Sequence, residues 1–336
     1  MNHHHPLIEK SHNFVLDRKV LFIDSNDRDI QRWPNSSEFE INCPEIYNNV
    51  ESLRLLNIQL PSFFFNISER LQTNKMIIEF QGLQYTITLT NGYYNHDQLT
   101  IALEKLIKRE TGDNDFIVTY NVVNRKYYFG HPSKEFKFLF DVNIDYDKCP
   151  NDVFKDSYKT DIYAQHSKWG LGFLLGFNKT SYTSSIRTDP KIIGFDHETT
   201  DWIGSGSHVL DPPNPSDLEN NQFIYVELEK YNKCDEIKPF LYYNYNNANS
   251  GIVNSAFAKI PIVPSPNNQC LINDGYLENI SYYQPPIEKI AKLKVKFRYH
   301  NGMLVDFQSY NVSFAIEINQ IRNEMNNYNV RTPYKL

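Results

Sequence analysis

The sequence has few cysteines, and their arrangement does not indicate a metal centre. Four of the 336 residues are cysteine, at Cys43, Cys149, Cys234 and Cys270, and no Cys-x-x-Cys pair occurs. Such wide spacing fits neither a disulfide framework nor a zinc site. We therefore expect reduced, buried thiols, as in a protein made in a reducing cytoplasm.

Long apolar runs and excess positive charge are also missing. No stretch reaches the roughly 18 apolar residues of a membrane-spanning helix, and no secretory signal peptide is recognised. The net charge of 34 − 40 = −6 argues against general nucleic-acid binding. These features predict a soluble protein with no direct nucleic-acid partner.

The motifs of common enzyme classes are absent from the sequence. There is no Walker loop, no G-x-G-x-x-G and no H-E-x-x-H. The segment Gly204–His208 contains glycine, serine and histidine, but it lacks the G-x-S-x-G spacing of a nucleophile elbow. Four scattered histidines are interpreted as ordinary surface or core residues: His166, His197, His208 and His300. We predict no catalytic, cofactor-binding or metal-binding residue, no cofactor and no enzyme activity.

Two acidic or histidine-rich segments resemble metal sites only in part. The triplet His3–His5 is interpreted as part of a mobile terminus. The segment Asp24–Asp29 suggests a calcium loop, which would need a ligand oxygen at position 28, glycine at 29 and glutamate at 35. The chain has Arg28, Asp29 and Asn35 there. A charged strand end is the better interpretation.

Aromatic residues, by contrast, are abundant, and they alternate with polar ones. Tyrosine and phenylalanine together number 23 + 22 = 45, an excess typical of strands. Apolar residues occupy every second position from Leu293 to Tyr299, and again in Met303–Phe307 and Val312–Ile318. Asn301-Gly302 lies between the first two segments, and this dipeptide favours a tight hairpin turn. The C-terminal part of the chain is therefore predicted to form antiparallel strands with one apolar face.

Similar strand patterns occur upstream, and together they predict the fold. Four precede the middle of the chain and four follow it, which suits an antiparallel jelly-roll β-sandwich. Two tandem β-sandwich domains are the alternative. A change of phase at Leu55-Leu56 indicates a bulge or burial on both faces. The other predicted strands are Val20–Ile23, Phe39–Ile41, Val50–Leu60, Met76–Phe80, Phe223–Glu229 and Ala256–Val263.

The middle of the chain has a different character, because it contains the one well-marked helix. Asn95 is the predicted N-cap, Gln98 completes a capping box, and Gly112 ends the helix. Its apolar stripe is Leu99, Ala102, Leu103, Leu106 and Ile107. We interpret residues 83–180 as a small α+β cassette inserted in the sandwich. The predicted divisions are an extended arm 1–19, the first half of the jelly roll 20–82, the cassette 83–180, long loops with the second half 181–320, and a tail 321–336.

One surface feature is a candidate for binding a partner. Lys292, Lys294, Lys296 and Arg298 form a basic stripe on one face of a predicted strand. Such a stripe suits docking to an acidic partner, or is a solvated outer face that discourages aggregation. Exposed loop aromatics at Trp33 and 242–245 would also suit a protein interface.

Several segments of the chain together match a known pattern: Phe22–Asp29, Trp33–Asn35, Phe39–Ile41, Val50–Pro61, Leu89–Tyr94, Leu174–Phe177, Phe297–Phe307 and Ser313–Ile318. In these segments the sequence resembles minor capsid proteins of the nucleocytoplasmic large DNA viruses, which are giant icosahedral viruses. The resemblance implies a jelly-roll structural protein that links or supports capsomers in the virion and that is synthesised in the host cytoplasm. It also implies the major capsid protein and other minor capsid proteins as partners, and no small-molecule substrate.

Three points stay open at this level. The position in the shell could be pentameric, interfacial or in an inner scaffold. Contact with an inner membrane is compatible with such a shell, but no residue supports it. A lectin-like β-sandwich binding module is the alternative function, because loop aromatics can stack on sugar rings.

Overall fold

The structure is a computed structural model of the chain. It describes residues 14–61, 64–142, 144, 146, 169–188, 192–193, 199–200, 202–219, 223–237, 253–262, 269–272, 280–300 and 302–323. Several predicted features lie wholly or partly outside these residues: the arm 1–19 with the His3–His5 triplet, Cys149, His166, His197, the loop 242–245, the turn residue Asn301 and the tail 321–336.

The described residues form antiparallel strands and two α-helices. In chain order the elements are β1 (Phe14–Asp24), β2 (Glu38–Pro61), β3 (Lys75–Phe80), β4 (Leu83–Thr88), α1 (His96–Thr111), β5 (Ile117–Asn121), β6 (Lys126–His131), β7 (Phe136–Leu139), α2 (Leu171–Leu174), β8 (Ser181–Thr183), β9 (Ser185–Arg187), β10 (Ile192–Ile193), β11 (Thr199–Thr200), β12 (Ser207–Leu210), β13 (Phe223–Leu228), β14 (Cys234–Ile237), β15 (Val253–Ala256), β16 (Ala258–Pro261), β17 (Gln269–Ile272), β18 (Ile280–Arg298) and β19 (Ser313–Asn323). Neither helix in this part of the chain is long and apolar enough to cross a membrane.

The chain divides into two compact units. The first comprises residues 1–63, 223–238 and 251–336, and the second comprises residues 64–222 and 239–250. The main segment of the second unit, residues 64–222, is thus inserted in the sequence of the first between β2 and β13, and its short segment, 239–250, between β14 and β15.

The first unit is built on β2 and β18, two long strands that pair along most of their length. Pairing runs from Ile280 opposite Arg54 to Lys296 opposite Glu38, with two register shifts. β18 borders the first half of β2, whereas β19 and β17 border its second half. β19 pairs in turn with all 11 residues of β1, and β18 continues through β13 to β16. The two halves of β2 therefore pair with different strands, and so do the two halves of β18.

This pairing order is that of a jelly roll. One half-sheet contains β1, β19, the second half of β2, and β17 with the start of β18. The other contains the first half of β2, the second half of β18, β13 and β16. Lettered B to I in chain order, these strands give the sheets B-I-D-G and C-H-E-F, the arrangement that defines an eight-stranded jelly roll. The predicted mainly β, jelly-roll fold with an inserted α+β segment is confirmed.

The core of the first unit lies between these half-sheets. The rings of Phe297 in β18 and Phe314 in β19 are 5.9 Å apart, so side chains from the two halves meet. Phe39, Val295 and Ile316 are fully buried, each from a different long strand. The period of two in the sequence therefore identified the inward face of these strands.

The predicted bulge at Leu55-Leu56 and the turn at Gly302 are present in this unit, but the predicted return strand is not. Asn57 lies opposite Ala315 while Leu55 lies opposite Ile316, so Leu56 is the extra residue of a bulge, as its change of phase predicted. The turn at Gly302 also forms, with φ of 86°. The return segment 303–307, however, is not a regular strand.

The return segment makes only an isolated bridge because its neighbour is already paired. The amide of Phe297 donates to the carbonyl of Ser37 at 2.8 Å, so it cannot pair with the returning chain. The bridge joins Arg298 and Leu304, and Val305 adds one hydrogen bond to the carbonyl of Phe297 at 2.9 Å.

The predicted N-terminal arm is corrected in part, because β1 begins at Phe14 rather than near residue 20. Residues 17–19 are polar, but each pairs with an opposite charge in β19 or β2. Asp17 binds Arg322 at 2.6 Å, Arg18 binds Glu317 at 2.7 Å, and Lys19 binds Glu45. Strand formation is compatible with this charged segment because its partners are supplied from distant parts of the chain.

The second unit contains two four-stranded sheets, ordered β4-β3-β7-β8 and β5-β6-β12-β9, with α1 packed on β4 and β5. A dense cluster of buried side chains joins them, and phenylalanine dominates it. The ring of Phe138 lies 4.7 Å from that of Phe129 and 5.7 Å from those of Phe136 and Phe177.

The helix matches its sequence signals closely. The Asn95 side chain accepts from the Gln98 amide at 2.8 Å, the Gln98 side chain accepts from the Asn95 amide at 3.1 Å, and Gly112 ends the helix with φ of 69°. Leu99, Leu103 and Ile107 are buried, as predicted. Leu106, predicted in the middle of the buried stripe, is only partly buried and lies at its border.

The extent of the inserted segment differs from the predicted cassette. The strand Lys75–Phe80, predicted as the fourth jelly-roll strand, pairs with β4 and β7 in the second unit. Strands β8, β9 and β12, which follow residue 180, complete the two sheets of that unit. The compact unit accordingly begins at residue 64 and ends at 222, whereas the predicted boundaries were 83 and 180.

Candidate interaction surfaces

The predicted basic stripe lies on the second half of β18, beside carboxylates from two neighbouring strands. Lys292 binds Glu40 at 3.2 Å. Lys294 and Lys296 both bind Glu38, at 3.3 and 3.4 Å. Position 40 lies directly opposite Lys294, and position 38 directly opposite Lys296, in the strand register. The stripe is therefore one row of a ladder of alternating charge.

Lys294 is the most strongly coupled of these lysines. It binds Glu229 at 3.4 Å in addition to Glu38, and its ammonium lies 5.3 Å from the centre of the Trp33 ring. Partial burial lowers the pKa of Lys294, but the hydrogen bonds and charges of Glu38 and Glu229 outweigh that effect and raise the pKa above its usual value. Lys294 therefore stays protonated, and the carboxylates of Glu38 and Glu229 balance its positive charge.

Arg298, the fourth predicted member, does not share that surface. Its side chain is only 5% exposed and binds two carboxylates, Glu227 and Glu236, the latter at 2.6 Å. Its guanidinium also lies 5.0 Å from the centre of the Tyr225 ring. A buried arginine held between two carboxylates has a structural role. The docking function of the three lysines stays a prediction.

A second charged cluster, in the second unit, was not predicted from the sequence. Ligand atoms of Asp113, Asp115 and His131 lie within 4.8 Å of one another, which is the separation a bound metal ion would need. The His131 ring is fully buried between the rings of Phe80 and Phe116. The only sequence signals are the aspartates that follow the helix-ending glycine and the histidine that precedes a turn.

The hydrogen bonds of this cluster do not fit a metal ion. Nδ1 of His131 accepts from the backbone amides of Ser133 and Lys134, at 3.2 and 2.9 Å. The neutral ring must then carry its proton on Nε2, which therefore has no lone pair for a metal. Nε2 lies 3.4 Å from a carboxylate oxygen of Asp113. The Nε2 proton of His131 therefore faces the Asp113 carboxylate and occupies the position that a metal ion would need.

Lys134 supplies the positive charge in this cluster. Its ammonium donates to the same Asp113 oxygen at 2.6 Å. This bond, with the backbone amide of Asp115 and the His131 ring, lowers the pKa of Asp113 from 3.8 to about 2. The carboxylate is therefore ionised at neutral pH and ties the loop after α1 to the β6–β7 turn.

A third polar group lies at the start of α1. The His96 ring is stacked on Tyr120, with ring centres 4.0 Å apart, and its Nδ1 lies 2.9 Å from the hydroxyl of buried Tyr127. Burial lowers the pKa of His96, and Arg125 lowers it further, while Asp97 acts in the opposite direction. Burial also raises the pKa of Tyr127. The neutral forms of both side chains are thus favoured.

The exposed side of α1 borders an open groove of about 500 Å³. Glu104 lies in this groove, where it binds Lys108 at 2.7 Å and accepts from the amide of Val118 in β5 at 3.0 Å. The helix and Glu104 therefore cover the edge of β5. The groove is lined by Thr100, Ile101, Glu104, Lys105, Lys108, Arg109, Asn114 and Val118.

The remaining predicted sites have structural roles among the described residues. Asp24 accepts from the Asn26 amide at 2.8 Å and caps a single 3₁₀ turn, as expected of a charged strand end. In the segment with nucleophile-like composition, the hydroxyl of Ser207 donates to the carbonyl of Gly204 at 2.6 Å. Cys43 and Cys234 are free and half-buried, and burial raises the pKa of Cys43 to about 11.

Comparison with known proteins finds several similar chains among solved structures, two of which follow. No protein-family model matches the chain, and no curated protein matches it. A chain from the cryo-EM structure of the Sputnik virophage is 9% identical, with 94% of this chain and 99% of that chain covered and a TM-score of 0.40. The mavirus penton protein is 10% identical, with 92% and 99% covered and a TM-score of 0.42. At this identity and score the similarity gives no information on function.

Proposed function

We propose that the chain is a structural protein of a viral capsid, where it links or supports capsomers as a minor capsid protein without turnover chemistry. The strand order of the first unit carries this proposal. It is a B-I-D-G and C-H-E-F jelly roll with an inserted unit between the third and fourth strands, D and E. Viral capsid proteins, lectins and cupins share that architecture.

The described interior of the first unit favours a structural role over cupin chemistry. A cupin-like metal site requires histidines that point into the sandwich. Among the described residues of this unit, the one histidine is His300, which is exposed. The interior positions are instead filled by apolar side chains such as Phe39, Leu293 and Phe297.

A sugar-binding role would require exposed aromatic rings that act together. Tyr282 and Tyr310 are each 61% exposed, but no ring contact joins them among the described residues. The sequence resemblance to minor capsid proteins then favours the capsid role over the lectin and cupin roles. It extends over segments of both units, from Phe22–Asp29 to Ser313–Ile318.

The major capsid protein and other minor capsid proteins are the proposed partners. The mixed-charge ladder around Lys292, Lys294 and Lys296 suits a partner surface that is itself of mixed charge. Assembly proteins gain affinity from many repeated contacts, so each single contact can be weak. The proposed location is therefore the virion, where capsomers are arrayed.

Binding to free and to arrayed capsomers tests the proposal. The purified chain should bind the source virus's major capsid protein weakly in solution, and at least tenfold more tightly once that protein forms a lattice. A glycan array and a broad hydrolase screen serve as controls and should both be negative. Equal, weak binding to lattice and free capsomer, or a strong signal in either control, would overturn the proposal.

The contribution of the stripe is measured in the same assay. Neutralising it by Lys292→Gln, Lys294→Gln and Lys296→Gln should weaken lattice binding more at low salt than at high salt. Arg298 is left unchanged because it is buried between two carboxylates. Unchanged lattice binding at every salt concentration would assign the stripe to an ordinary solvated face.

A further inference from the structure

The edges of the sheets differ in how well they are protected. A free strand edge can pair with another chain, and proteins usually cover it, shorten it or place proline or charge on it. The edge of β5 is covered by α1 and Glu104. The edge strands β8 and β9 have three residues each, and β16 has four and ends at Pro261.

Among the described residues no element covers the edge formed by β1, and its charges at Asp17, Arg18 and Lys19 are each bound by an opposite charge of the same chain. This edge is 11 residues long, contains no proline and pairs with β19 without a register shift. Within the described part of the chain, β19 is its one strand partner. It is therefore the longest edge without a proline or a register shift among the described sheets.

The direction of its free hydrogen-bonding groups follows from one bond. The amide of Ser25 donates to the carbonyl of Val312 at 2.8 Å, in the same register as β1 and β19. Odd-numbered residues of β1 therefore bond to β19, because the two directions alternate along a strand. The amides and carbonyls of Leu16, Arg18, Val20 and Phe22 point to the open side.

The side chains of these same residues are exposed and largely apolar. Phe22 is 78% exposed, Leu16 55% and Val20 39%. Arg18 lies between them, with its side chain 60% exposed and its charge paired with Glu317. The edge thus offers a row of main-chain bonds beside an apolar strip that carries no unpaired charge.

We propose that β1 pairs in antiparallel fashion with β1 of a second copy of this chain. When residue 16 of one strand lies opposite residue 22 of the other, all 11 residues of β1 have a partner. Leu16 then faces Phe22 twice across the two-fold axis, and Arg18 faces Val20 twice. All four are residues whose main-chain groups point to the open side, as hydrogen-bonded pairs require.

The neighbouring registers are less favourable. A shift of two residues in either direction pairs only nine of the 11 residues of β1. In one direction it also places Arg18 opposite Arg18, and like charges directly opposite are destabilising. A shift of two in the other direction places Leu16 opposite Asp24. The proposed register places Lys19 opposite Lys19 on the two-fold axis, where Glu45 of the same copy binds each ammonium. The self-paired register is therefore the best match for this edge, and it would give a symmetric dimer with an isologous interface.

Sedimentation over a concentration series, with matched variants, tests this dimer. The full chain should be a dimer that dissociates on dilution. Val20→Pro removes an amide that points to the open side and none that bonds to β19, so the fold should survive. It should raise the dissociation constant roughly tenfold or more, whereas Val20→Thr, which keeps the amide, should change it little.

A second variant and a crosslink keep the test decisive. Phe22→Lys should also weaken the dimer, while Ile30→Lys, a similarly exposed change off the edge, should not. A mixture of Leu16→Cys and Phe22→Cys proteins should form a crosslink that the wild type, with its native cysteines, and either variant alone do not form.

The outcomes that would overturn the inference are specific. A wild type that stays monomeric at its highest soluble concentration excludes self-pairing. A dimer unaffected by both Val20→Pro and Phe22→Lys would have its interface elsewhere. The inference goes beyond the proposed function, and since it concerns solution dimers, its failure would leave the capsid proposal standing.

Discussion

The two units of the chain are stabilised in different ways. The first relies on a few long strands, β2, β18 and β19, whose outer faces carry ladders of paired charge. The second uses short strands around a dense aromatic cluster that includes Phe116, Phe129, Phe136, Phe138 and Phe140. Long ladders tolerate local change, whereas a ring cluster concentrates packing energy in a few side chains. The difference predicts where the molecule is most easily broken.

The largest effect should come from the ring at the centre of that cluster. Phe138→Ala removes a fully buried ring that contacts four others, Phe129, Phe136, Phe140 and Phe177. It should destabilise the second unit by about 3–5 kcal/mol. Hydrogen exchange read peptide by peptide should show the loss of protection there. Equal loss in β18 and β19 would mean that the two units unfold as one.

The helix gives the next largest effect and a matched control. Leu103→Ala, at a fully buried position, should cost about 2–5 kcal/mol, because it leaves a cavity under α1. Lys105→Ala, on the exposed side, should cost less than about 0.5 kcal/mol. Leu106→Ala should fall between them, since Leu106 is partly buried. Denaturant unfolding measures all three, and a different order would misplace the buried face.

These helix positions show what could be predicted from sequence. The capping box at Asn95 and Gln98 and the stripe through Leu103 depend on residues three or four apart, so local pattern predicts them. The alternation through Phe297 and Phe314 similarly predicted the inward face of the jelly roll. In each case the relevant spacing lies within one element.

The errors came from partners that lie far apart in the chain. Lys75–Phe80 alternates like a jelly-roll strand, but it pairs with β4 and, through Ile78 and Phe138, with the distant β7, and these pairings assign it to the second unit. The basic stripe could not be recognised as a mixed ladder, because Glu38 and Glu40 lie about 250 residues upstream of their lysines. Charge pairing across a sheet leaves no mark on local spacing.

Removing the helix cap should have a smaller effect. Asn95→Ala leaves the Gln98 amide without its acceptor and should destabilise the second unit by about 1 kcal/mol. Asn95→Ser, which keeps an accepting oxygen, should restore most of that loss. Thermal unfolding of the three proteins provides the measurement, and an alanine variant as stable as the wild type would show that the cap is dispensable.

The partly buried contact between His96 and Tyr127 should make the free energy of unfolding of the second unit smaller in mild acid. The folded state lowers the pKa of His96, so the unfolded chain takes up a proton first as the pH falls below about 6.5. The stabilising contribution is thus complete above that pH and is lost as pH falls toward the folded pKa. The unfolding free energy of wild type minus that of His96→Gln should decrease over this range. A constant difference would contradict the assignment.

The smallest effect should come from the charge ladder of the first unit. Lys294→Gln breaks half-exposed ion pairs with Glu38 and Glu229, and it should cost about 0.2–1 kcal/mol. The loss should shrink as salt is raised, because the pairs are screened. Lys289→Gln, at an exposed position of the same strand, is the control. A loss as large as that of Phe138→Ala would remove the contrast between the two units.

The central claim, a jelly-roll protein built into a viral shell, is tested most directly by a cryo-EM map of the source particle. The account predicts density between or beneath capsomers that fits sheets B-I-D-G and C-H-E-F, with a second unit inserted between strands D and E. A map in which other chains account for all shell density, from particles that lack this protein, would contradict it.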